Sequence, residues 1–207
     1  MILNASGKFI VLEGLEGSGK STQTAILERS LPNSRLTREP TDSLPGSLCR
    51  EVILGKGNLT QGSLALLLIA DRIEHLNTCI APALKRGQNI ICDRYYLSNM
   101  AYQASDSLSN KDIYELNKKF GALSPDLTIF LEITPPEAMR RVNLRKAQEG
   151  IFDNLEILER INRNYQEALD FLISQGEKVV KIQAMGNKDD IAKEIQHRIS
   201  IAFSHHA

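Results

Sequence analysis

The sequence lacks an excess of charge of either sign and any long apolar stretch. Its 25 lysines and arginines balance 25 aspartates and glutamates, which gives a formal net charge of zero. Proteins that coat nucleic acid usually carry a basic excess, so we expect no nucleic-acid partner. The longest apolar run, Leu64 to Ala70, is far shorter than the roughly 20 residues of a membrane-spanning helix. We therefore expect no membrane partner either.

Cysteine is scarce as well. Cys49, Cys79 and Cys92 are odd in number and form no Cys-x-x-Cys pair, which favours reduced thiols in a cytoplasmic protein. The segment Met1 to Lys8 lacks the charged start and apolar stretch of a signal peptide. In other respects the composition is ordinary. A chain of 207 residues with 42% hydrophobic content predicts one domain, residues 1–207, with a sizeable hydrophobic core.

Short apolar runs alternate with segments of helical composition along the chain. This alternation predicts an α/β fold, with a parallel sheet of about five strands covered by helices on both faces. Ligands on such a sheet bind at the carboxyl ends of the strands. The predicted strands are Phe9–Leu12, Arg35–Thr37, Asn89–Cys92, Leu127–Ile133 and Lys178–Ile182, and the predicted helices are Ser21–Ser30, Leu64–Lys85, Lys111–Phe120, one beginning at Thr134, Leu155–Ser174 and Asp189–Ala202.

The strongest motif, a glycine-rich loop, follows the first predicted strand. Glycines at its spacing let backbone N–H groups turn towards phosphate oxygens, and the next helix adds positive potential at its N-terminus. Lys20 can reach the β- and γ-phosphates, and the Ser21 hydroxyl can bind Mg²⁺. A hairpin with a chance Lys-Ser pair is the alternative, but the flanking strand and helix favour a P-loop NTPase fold that binds a nucleoside triphosphate. The residues concerned are Gly14, Leu15, Glu16, Gly17, Ser18, Gly19, Lys20, Ser21 and Thr22.

A second polar motif follows the strand Asn89–Cys92. Asp93 ends this buried strand, where a carboxylate is costly unless it meets a cation or hydrogen-bond donors. Together with the glycine loop, this position favours Asp93 as a ligand of Mg²⁺ alongside Ser21, rather than as a capping residue. Arg94 comes next, so its guanidinium should lie near phosphate.

A basic helix carries Arg140, Arg141 and Arg145 and continues into the polar segment Gln148-Glu149-Gly150. Such a helix could close over phosphates as a lid, or it could be an ordinary solvent-facing helix. The pattern alone favours neither interpretation.

Further segments occur in an order that matches a known family. Together with the glycine loop they resemble thymidylate kinases, which phosphorylate dTMP to dTDP with ATP and Mg²⁺. The resemblance extends from Lys8 to about Ile201 and implies an ATP:dTMP phosphotransferase that forms a homodimer. The matching segments are Thr37-Arg38-Glu39-Pro40, Ala70-Asp71-Arg72-Ile73-Glu74-His75, Asp93-Arg94-Tyr95-Tyr96-Leu97-Ser98-Asn99-Met100-Ala101-Tyr102-Gln103 and Pro125-Asp126-Leu127-Thr128.

The resemblance also implies roles for single residues. Lys20 and Arg94 would be catalytic, and because the glycine loop has no arginine, a further catalytic arginine would come from a helical lid at about residues 140–154. The candidates there are Arg141 and Arg145. The residues implied for dTMP are Glu16 near its sugar and phosphate, Arg38 and Arg94 on its phosphate, Arg72 and Asn99 on the thymine edge, Tyr102 against the deoxyribose, and Leu68, Ser98 and Gln103 lining the pocket.

The chain departs from the family pattern in three places. Leu68 stands where the family usually has a phenylalanine that stacks on thymine, and such stacking is worth roughly 1–3 kcal/mol per base. Thr41-Asp42-Ser43 replaces the glycines that commonly follow Thr-Arg-Glu-Pro. The charge pattern late in the lid is blurred at residues 151–154.

Two other functions fit parts of this pattern. One is a kinase of the same fold that acts on another nucleotide or on a nucleoside, and Leu68 keeps that alternative open. The other is a non-catalytic nucleotide-binding switch. Asn187-Lys188-Asp189-Asp190 spells a guanine-reading motif, but it opens the last predicted helix, where Asn and Asp are ordinary caps.

Overall fold

The computed structural model of the chain describes residues 7–145 and 154–204, without the side chain of Arg145. Five strands form one sheet in the order β2-β3-β1-β4-β5, and every neighbouring pair is parallel. This confirms the predicted parallel sheet. The strands are β1 (Phe9–Glu13), β2 (Ser34–Arg38), β3 (Asn89–Asp93), β4 (Leu127–Glu132) and β5 (Val179–Gln183).

Helices connect the strands and cover the sheet. Those predicted from the sequence lie within a few residues of their expected positions, but α2 and α5 were not predicted. Asn187 caps the last helix by accepting the Asp189 N–H, as expected of a cap. The helices are α1 (Lys20–Ser30), α2 (Leu44–Ile53), α3 (Gln61–His75), α4 (Ala81–Lys85), α5 (Tyr96–Gln103), α6 (Asn110–Lys119), α7 (Pro135–Arg145), α8 (Leu155–Ser174) and α9 (Lys188–Phe203).

The segment predicted as helical, Leu64–Lys85, is helical in the structure but is not a regular α-helix throughout. A π-helical turn, Leu76–Ile80, separates α3 from α4. Pro82 explains the interruption, because proline lacks an N–H and its ring clashes with the carbonyl four residues earlier. The Asn77 and Thr78 side chains donate to the carbonyls of Ile73 and Glu74 near the wide turn.

Side chains of β1 alternate between two hydrophobic cores. Phe9 and Val11 pack in the core that contains residues of α5 and α8. Ile10 and Leu12 pack in the core on the other face, which contains residues of α1 and α9. Helices therefore cover both faces of the sheet, as predicted. None of the helices in the described ranges has both the length and the apolar character needed to cross a bilayer.

The carboxyl ends of three strands bring the sequence motifs together. β1 runs into the glycine loop, β3 ends at Asp93, and β2 ends at Arg38. In the strand register, Asp93 lies beside Leu12 on one side and beside Arg38 on the other. The two separated motifs thus converge at one edge of the sheet.

Candidate active site

The glycine loop joins β1 to α1 in a conformation that requires glycine. Gly14 and Gly17 have φ values of 143° and 83°, which L side chains rarely adopt. A Cβ at Gly17 would lie 2.6 Å from the carbonyl oxygen of Ala138 in α7. The glycines therefore allow both the turn of the loop and its close contact with α7.

The Lys20 ammonium group folds back across this loop. Its Nζ donates to the carbonyl oxygens of Gly14 and Leu15 at 2.9 and 2.8 Å. Burial, followed by the charge of Arg94, lowers the pKa of Lys20 to about 7, while Asp93 and two glutamates act in the opposite direction. A bound polyphosphate would add negative charge beside this lysine and favour its protonated form.

Ser21 and Asp93 meet at the end of the loop. The Ser21 hydroxyl donates to Asp93 Oδ2 at 2.8 Å, while Asp93 Oδ1 is buried without a hydrogen-bond partner. Mg²⁺ takes oxygen ligands and is usually held by one or two carboxylates together with phosphate oxygens, so this pair fits it. Within residues 7–145 and 154–204, no three His, Cys, Asp or Glu side chains form a metal-binding group.

One cavity of about 430 Å³ extends from the glycine loop to α3 and α5. Its volume lies within the range of small-molecule sites. Residues of the glycine loop lie at one end, and amide and guanidinium groups lie at the other. The lining residues are Glu16, Gly17, Gly19, Lys20, Ser21, Glu39, Pro40, Arg50, Ile53, Leu54, Leu68, Arg72, Asp93, Arg94, Tyr95, Ser98, Asn99, Tyr102 and Gln103.

Arg94 stands between the two ends of the cavity. Its backbone has φ of 71°, an uncommon value for a residue other than glycine. Its guanidinium donates to Ser98 Oγ at 3.0 Å and to Tyr165 Oη at 3.2 Å, and it lies 5.2 Å from the centre of the Tyr102 ring. The guanidinium is thus hydrogen-bonded to neutral groups, and its charge also acts on the nearby Glu13 carboxyl.

Glu13 connects the phosphate loop to α5. One of its oxygens accepts the backbone N–H groups of Tyr95 and Ser98 at 2.8 and 3.1 Å, and the other accepts the Ser98 hydroxyl at 2.5 Å. Burial raises the pKa of Glu13, whereas the hydrogen bond from Ser98 and the charge of Arg94 act against this rise. A carboxylate from β1 therefore caps the helix that carries Ser98, Asn99, Tyr102 and Gln103.

Arg72 lies at the other end of the cavity in a buried ion pair. Its Nε and Nη2 donate to Glu39 Oε2 at 2.9 and 2.6 Å, and both side chains are at most 3% exposed. The second oxygen of Glu39 lies 3.0 Å from His75 Nδ1, and His75 Nε2 lies 2.7 Å from Thr37 Oγ1. Arg72 is therefore held in place by Glu39, which follows β2, and this carboxylate also contacts His75 of α3.

Three amide side chains extend from Arg72 along the cavity. Arg72 Nη1 donates to Asn117 Oδ1. Asn117 Nδ2 donates to Asn99 Oδ1 at 3.3 Å, and Asn99 Nδ2 donates to Gln103 Oε1 at 3.2 Å. Asn117 belongs to α6 and does not line the cavity, whereas Asn99 and Gln103 do.

The segment after β2 is tied to α3 and α2. The buried Asp71 carboxylate accepts bonds from Thr41 and Ser43. Arg50 donates to the carbonyls of Pro40 and Thr41 and lines the cavity. The residues that replace the usual glycines here thus form a defined hydrogen-bonded turn.

Most of the residues expected at the site meet in this cavity, with some exceptions. The Arg38 side chain is 65% exposed, lies 3.5 Å from Asp42 and is not among the lining residues. Arg140 and Arg141 bond to Glu137 of their own helix at 2.6–2.8 Å, and this lowers the pKa of Glu137 to about 2. The remaining lid positions, residues 146–153, and the Arg145 side chain lie outside the described residues. Gly14, Leu15, Ser18 and Thr22 belong to the loop or the start of α1 but are also not among the lining residues.

Sequence reasoning missed several residues of the cavity and its surroundings. Glu39, Pro40 and Tyr95 lie in segments that carry the family resemblance, so the resemblance could have indicated them. Arg50, Ile53 and Leu54 lie in or next to the unpredicted α2. The sequence Ser43-Leu44-Pro45 is a usable start signal for that helix, because a serine cap followed by proline in the first turn is typical of helix N-termini.

Comparison with known proteins gives a consistent result. The family model described as Thymidylate kinase matches residues 12–195. A probable thymidylate kinase of Thermococcus gammatolerans is 33% identical over 201 residues, covering 91% of this chain and 94% of that protein. A thymidylate kinase of Synechococcus sp. is 37% identical over 193 residues, covering 90% of this chain and 92% of that protein. A probable thymidylate kinase of Methanococcus aeolicus is 39% identical over 163 residues, covering 79% and 80% of the two chains.

Proposed function

This chain belongs to the thymidylate kinase family, and we propose that its cavity transfers the γ-phosphoryl group of ATP to dTMP, giving dTDP. The observation that carries the proposal is that one cavity joins a phosphate-binding loop to a polar, base-sized end. A phosphoryl transfer between two nucleotides requires this arrangement, because donor and acceptor phosphates must meet in line.

The donor end would hold ATP with the glycine loop. Lys20 would break its hydrogen bonds to the carbonyls of Gly14 and Leu15 and bind the β- and γ-phosphates instead. The pair Ser21 and Asp93 would hold Mg²⁺, and the unpartnered Asp93 Oδ1 supports this assignment. When bound, Mg²⁺ would neutralise charge on the phosphates of ATP.

The acceptor end would hold dTMP between α3 and α5. Arg94 would bind its phosphate, and we add Arg50, which lines the same cavity. Arg38 stays a candidate for the phosphate from the resemblance alone, and Glu16, a lining residue, is a candidate for the sugar. At the base end, Arg72 and Asn99 would contact thymine. The remaining candidates are Leu68, Ser98, Tyr102 and Gln103, all of which line the cavity.

The reaction needs no general base, because the acceptor phosphate is already ionised near neutral pH. The protein's task is to align two polyanions and to stabilise the transition-state charge. Lys20 and Arg94 supply positive charge from the cavity. We propose that Arg141 or Arg145 adds more from the lid, and that Arg141 would first have to release Glu137.

We also propose that the protein acts as a homodimer. Helices α2 and α3 pack against each other and each leaves large apolar side chains exposed, Leu44 and Leu48 on α2 and Leu66 on α3. Where such side chains adjoin, they often mark a protein interface. Light scattering coupled to size-exclusion chromatography tests the proposal. A monomeric mass at micromolar concentration would contradict it.

A cytoplasmic location and the absence of a nucleic-acid partner complete the proposal. Cys49, Cys79 and Cys92 are free thiols in the structure, which is typical of proteins in a reducing compartment. The zero net charge gives no electrostatic basis for binding a nucleic-acid polyanion.

A panel of acceptors with ATP and Mg²⁺ tests the function directly. We expect ADP formation to be fastest with dTMP and to stop when EDTA removes the metal. Faster phosphorylation of dCMP, dGMP or thymidine would favour a different kinase of this fold. ADP formation with none of the acceptors would favour a nucleotide-binding switch.

A further inference from the structure

The buried amide groups behind the base end form a relay whose direction is fixed at Arg72. A guanidinium group has donors only, so the atom of Asn117 that faces Arg72 must be its oxygen Oδ1. The Nδ2 group of Asn117 then points the other way, and it donates to the carbonyl of Ile113 at 2.8 Å as well as to Asn99. Asn117 is 1% exposed, so water cannot substitute for these partners.

The orientation of Asn117 determines the next two amides. Asn99 must present its oxygen to Asn117 Nδ2, so its own Nδ2 faces Gln103. Gln103 must in turn present Oε1 to Asn99, so its Nε2 makes no bond within the relay and is the group that can face the cavity. Reversing any one member would place two donors or two acceptors against each other in a buried region, which is unfavourable.

We propose that Asn117 is a specificity-determining positioning residue that turns the Gln103 amide so that its N–H group, with those of Arg72, faces the base. These N–H groups pair with the O4 keto oxygen of thymine or uracil. Cytosine carries an amino group at that position, so one N–H group of the protein would face another. The inference rests on the proposed function of this cavity, because it concerns the base of the acceptor nucleotide.

The substitution Asn117→Asp reverses the relay while keeping the shape of the side chain. One carboxylate oxygen still accepts from Arg72. The other can only accept, so it loses the bond to the Ile113 carbonyl, and Asn99 must turn and donate to it. Gln103 must then turn as well and present Oε1 to the cavity. The variant should therefore disfavour keto oxygens and tolerate the amino group of cytosine.

The experiment measures kcat/KM of the full chain with dTMP, dUMP and dCMP at saturating ATP and Mg²⁺. We expect Asn117→Asp to lower the ratio of dTMP to dCMP by at least about tenfold, a change equal to one hydrogen-bond interaction. The ratio of dTMP to dUMP should not change, because both bases have the same keto edge. The KM for ATP should stay within twofold, since the relay does not touch the donor end.

Asn117→Ala is the second variant. It provides the test if thermal unfolding shows that the aspartate variant is not folded. It removes both amide atoms and leaves Asn99 free to take either orientation, so the ratio of dTMP to dCMP should lie between those of the other two proteins. An equal loss of kcat/KM with all three acceptors, in either variant, would show a merely structural role and overturn the proposal. If the wild-type protein phosphorylates none of the three, the proposed function fails instead.

Discussion

The two ends of the cavity are built in different ways. The donor end comes from one continuous loop between β1 and α1, and its main features are glycine conformations and one lysine. The acceptor end draws its side chains from α3, α5 and the segment after β2, with support from α2 and α6. Backbone geometry thus defines the donor end, whereas paired side chains from distant segments define the acceptor end.

This difference predicts different consequences of substitution. A change at the donor end should affect turnover with every acceptor equally, because the same ATP phosphates are used each time. A change at the acceptor end should alter the KM for the acceptor or the choice among acceptors, and leave the KM for ATP nearly constant. The substitutions below test this separation, beginning with the largest expected effect.

Replacement of Lys20 should have the largest effect. Lys20→Met keeps the length of the side chain but removes the positive charge that we propose contacts the transferred phosphate. We expect kcat to fall by about three orders of magnitude, by roughly the same factor with dTMP and dUMP, because charge stabilisation of the transition state is lost. Steady-state ADP formation measures the fall in kcat, and circular dichroism checks the fold. Near-normal turnover would show that Lys20 is not a catalytic residue.

Asp93→Asn tests the metal assignment at the same end. The amide retains an oxygen for the Ser21 hydroxyl but is a weaker ligand for Mg²⁺ than a carboxylate. We expect kcat at a fixed Mg²⁺ concentration to fall about a hundredfold, within the usual range for loss of one charge-stabilising group, and the Mg²⁺ concentration at half-maximal rate to rise. Asp106→Asn on the exposed surface is the matched control. An unaltered Mg²⁺ titration would show that Asp93 is not a ligand.

Arg72→Ala tests the acceptor end. We expect the KM for dTMP to rise at least about tenfold, the loss of one charged hydrogen bond, while the KM for ATP changes little. The variant should also lose about 3–5 kcal/mol of unfolding free energy, because Glu39 is left buried without its cation. Urea unfolding measures that loss. Equal increases in both KM values would mean that the two ends are not separable.

The pH dependence of ATP binding provides a smaller effect at the donor end. In the free protein the pKa of Lys20 is lowered to about 7, so the lysine loses its proton as the pH rises through this value. ATP favours the protonated form, so binding takes up a proton above pH 7 and weakens as the pH increases. The apparent Kd should rise about fivefold between pH 7 and pH 8. Calorimetry in two buffers measures the proton uptake.

Lys20→Arg is the control for the pH experiment, since arginine does not titrate in this range. Its affinity for ATP should not depend on pH between 7 and 8 beyond the titration of the ligand itself. The same fivefold change in this variant would assign the effect to another group.

The fold and the donor end could be predicted from sequence because their signals are local. Each strand is an apolar run next to turn residues, and the glycine loop is defined by its own spacing. Asp93 followed from its position after a buried strand. The Leu64–Lys85 segment exposes the limit of such reasoning, because composition could not show how the chain would accommodate Pro82 within it.

The rest of the acceptor end could not be predicted because it depends on contacts between distant segments. Helix α5 has no capping side chain of its own, and Glu13 of β1 supplies the acceptor instead. Asn117 looks like any polar residue of an amphipathic helix until α3 and α5 are placed beside it. Arg38 illustrates another limit, because a matching segment could not reveal that its side chain is largely exposed, and its role on the phosphate stays a prediction.

Leu68→Phe should have the smallest effect and tests whether the base lies against α3. Leu68 is 8% exposed, lines the cavity and packs with Cys49 and Leu64. A phenyl ring would add stacking of about 1–3 kcal/mol, but forcing it into a packed cluster costs about 1–3 kcal/mol. The packing cost is borne by the free and the bound protein alike, so it lowers stability and not affinity. Because a ring held in this packed cluster cannot face the base squarely, we expect the KM for dTMP to fall only about threefold, with a loss of about 1–3 kcal/mol of unfolding free energy. Leu66→Phe, on the exposed side of the same helix, should leave the KM unchanged. If both variants leave it unchanged, the base does not contact Leu68, and the selectivity of the acceptor end must come from its polar groups alone.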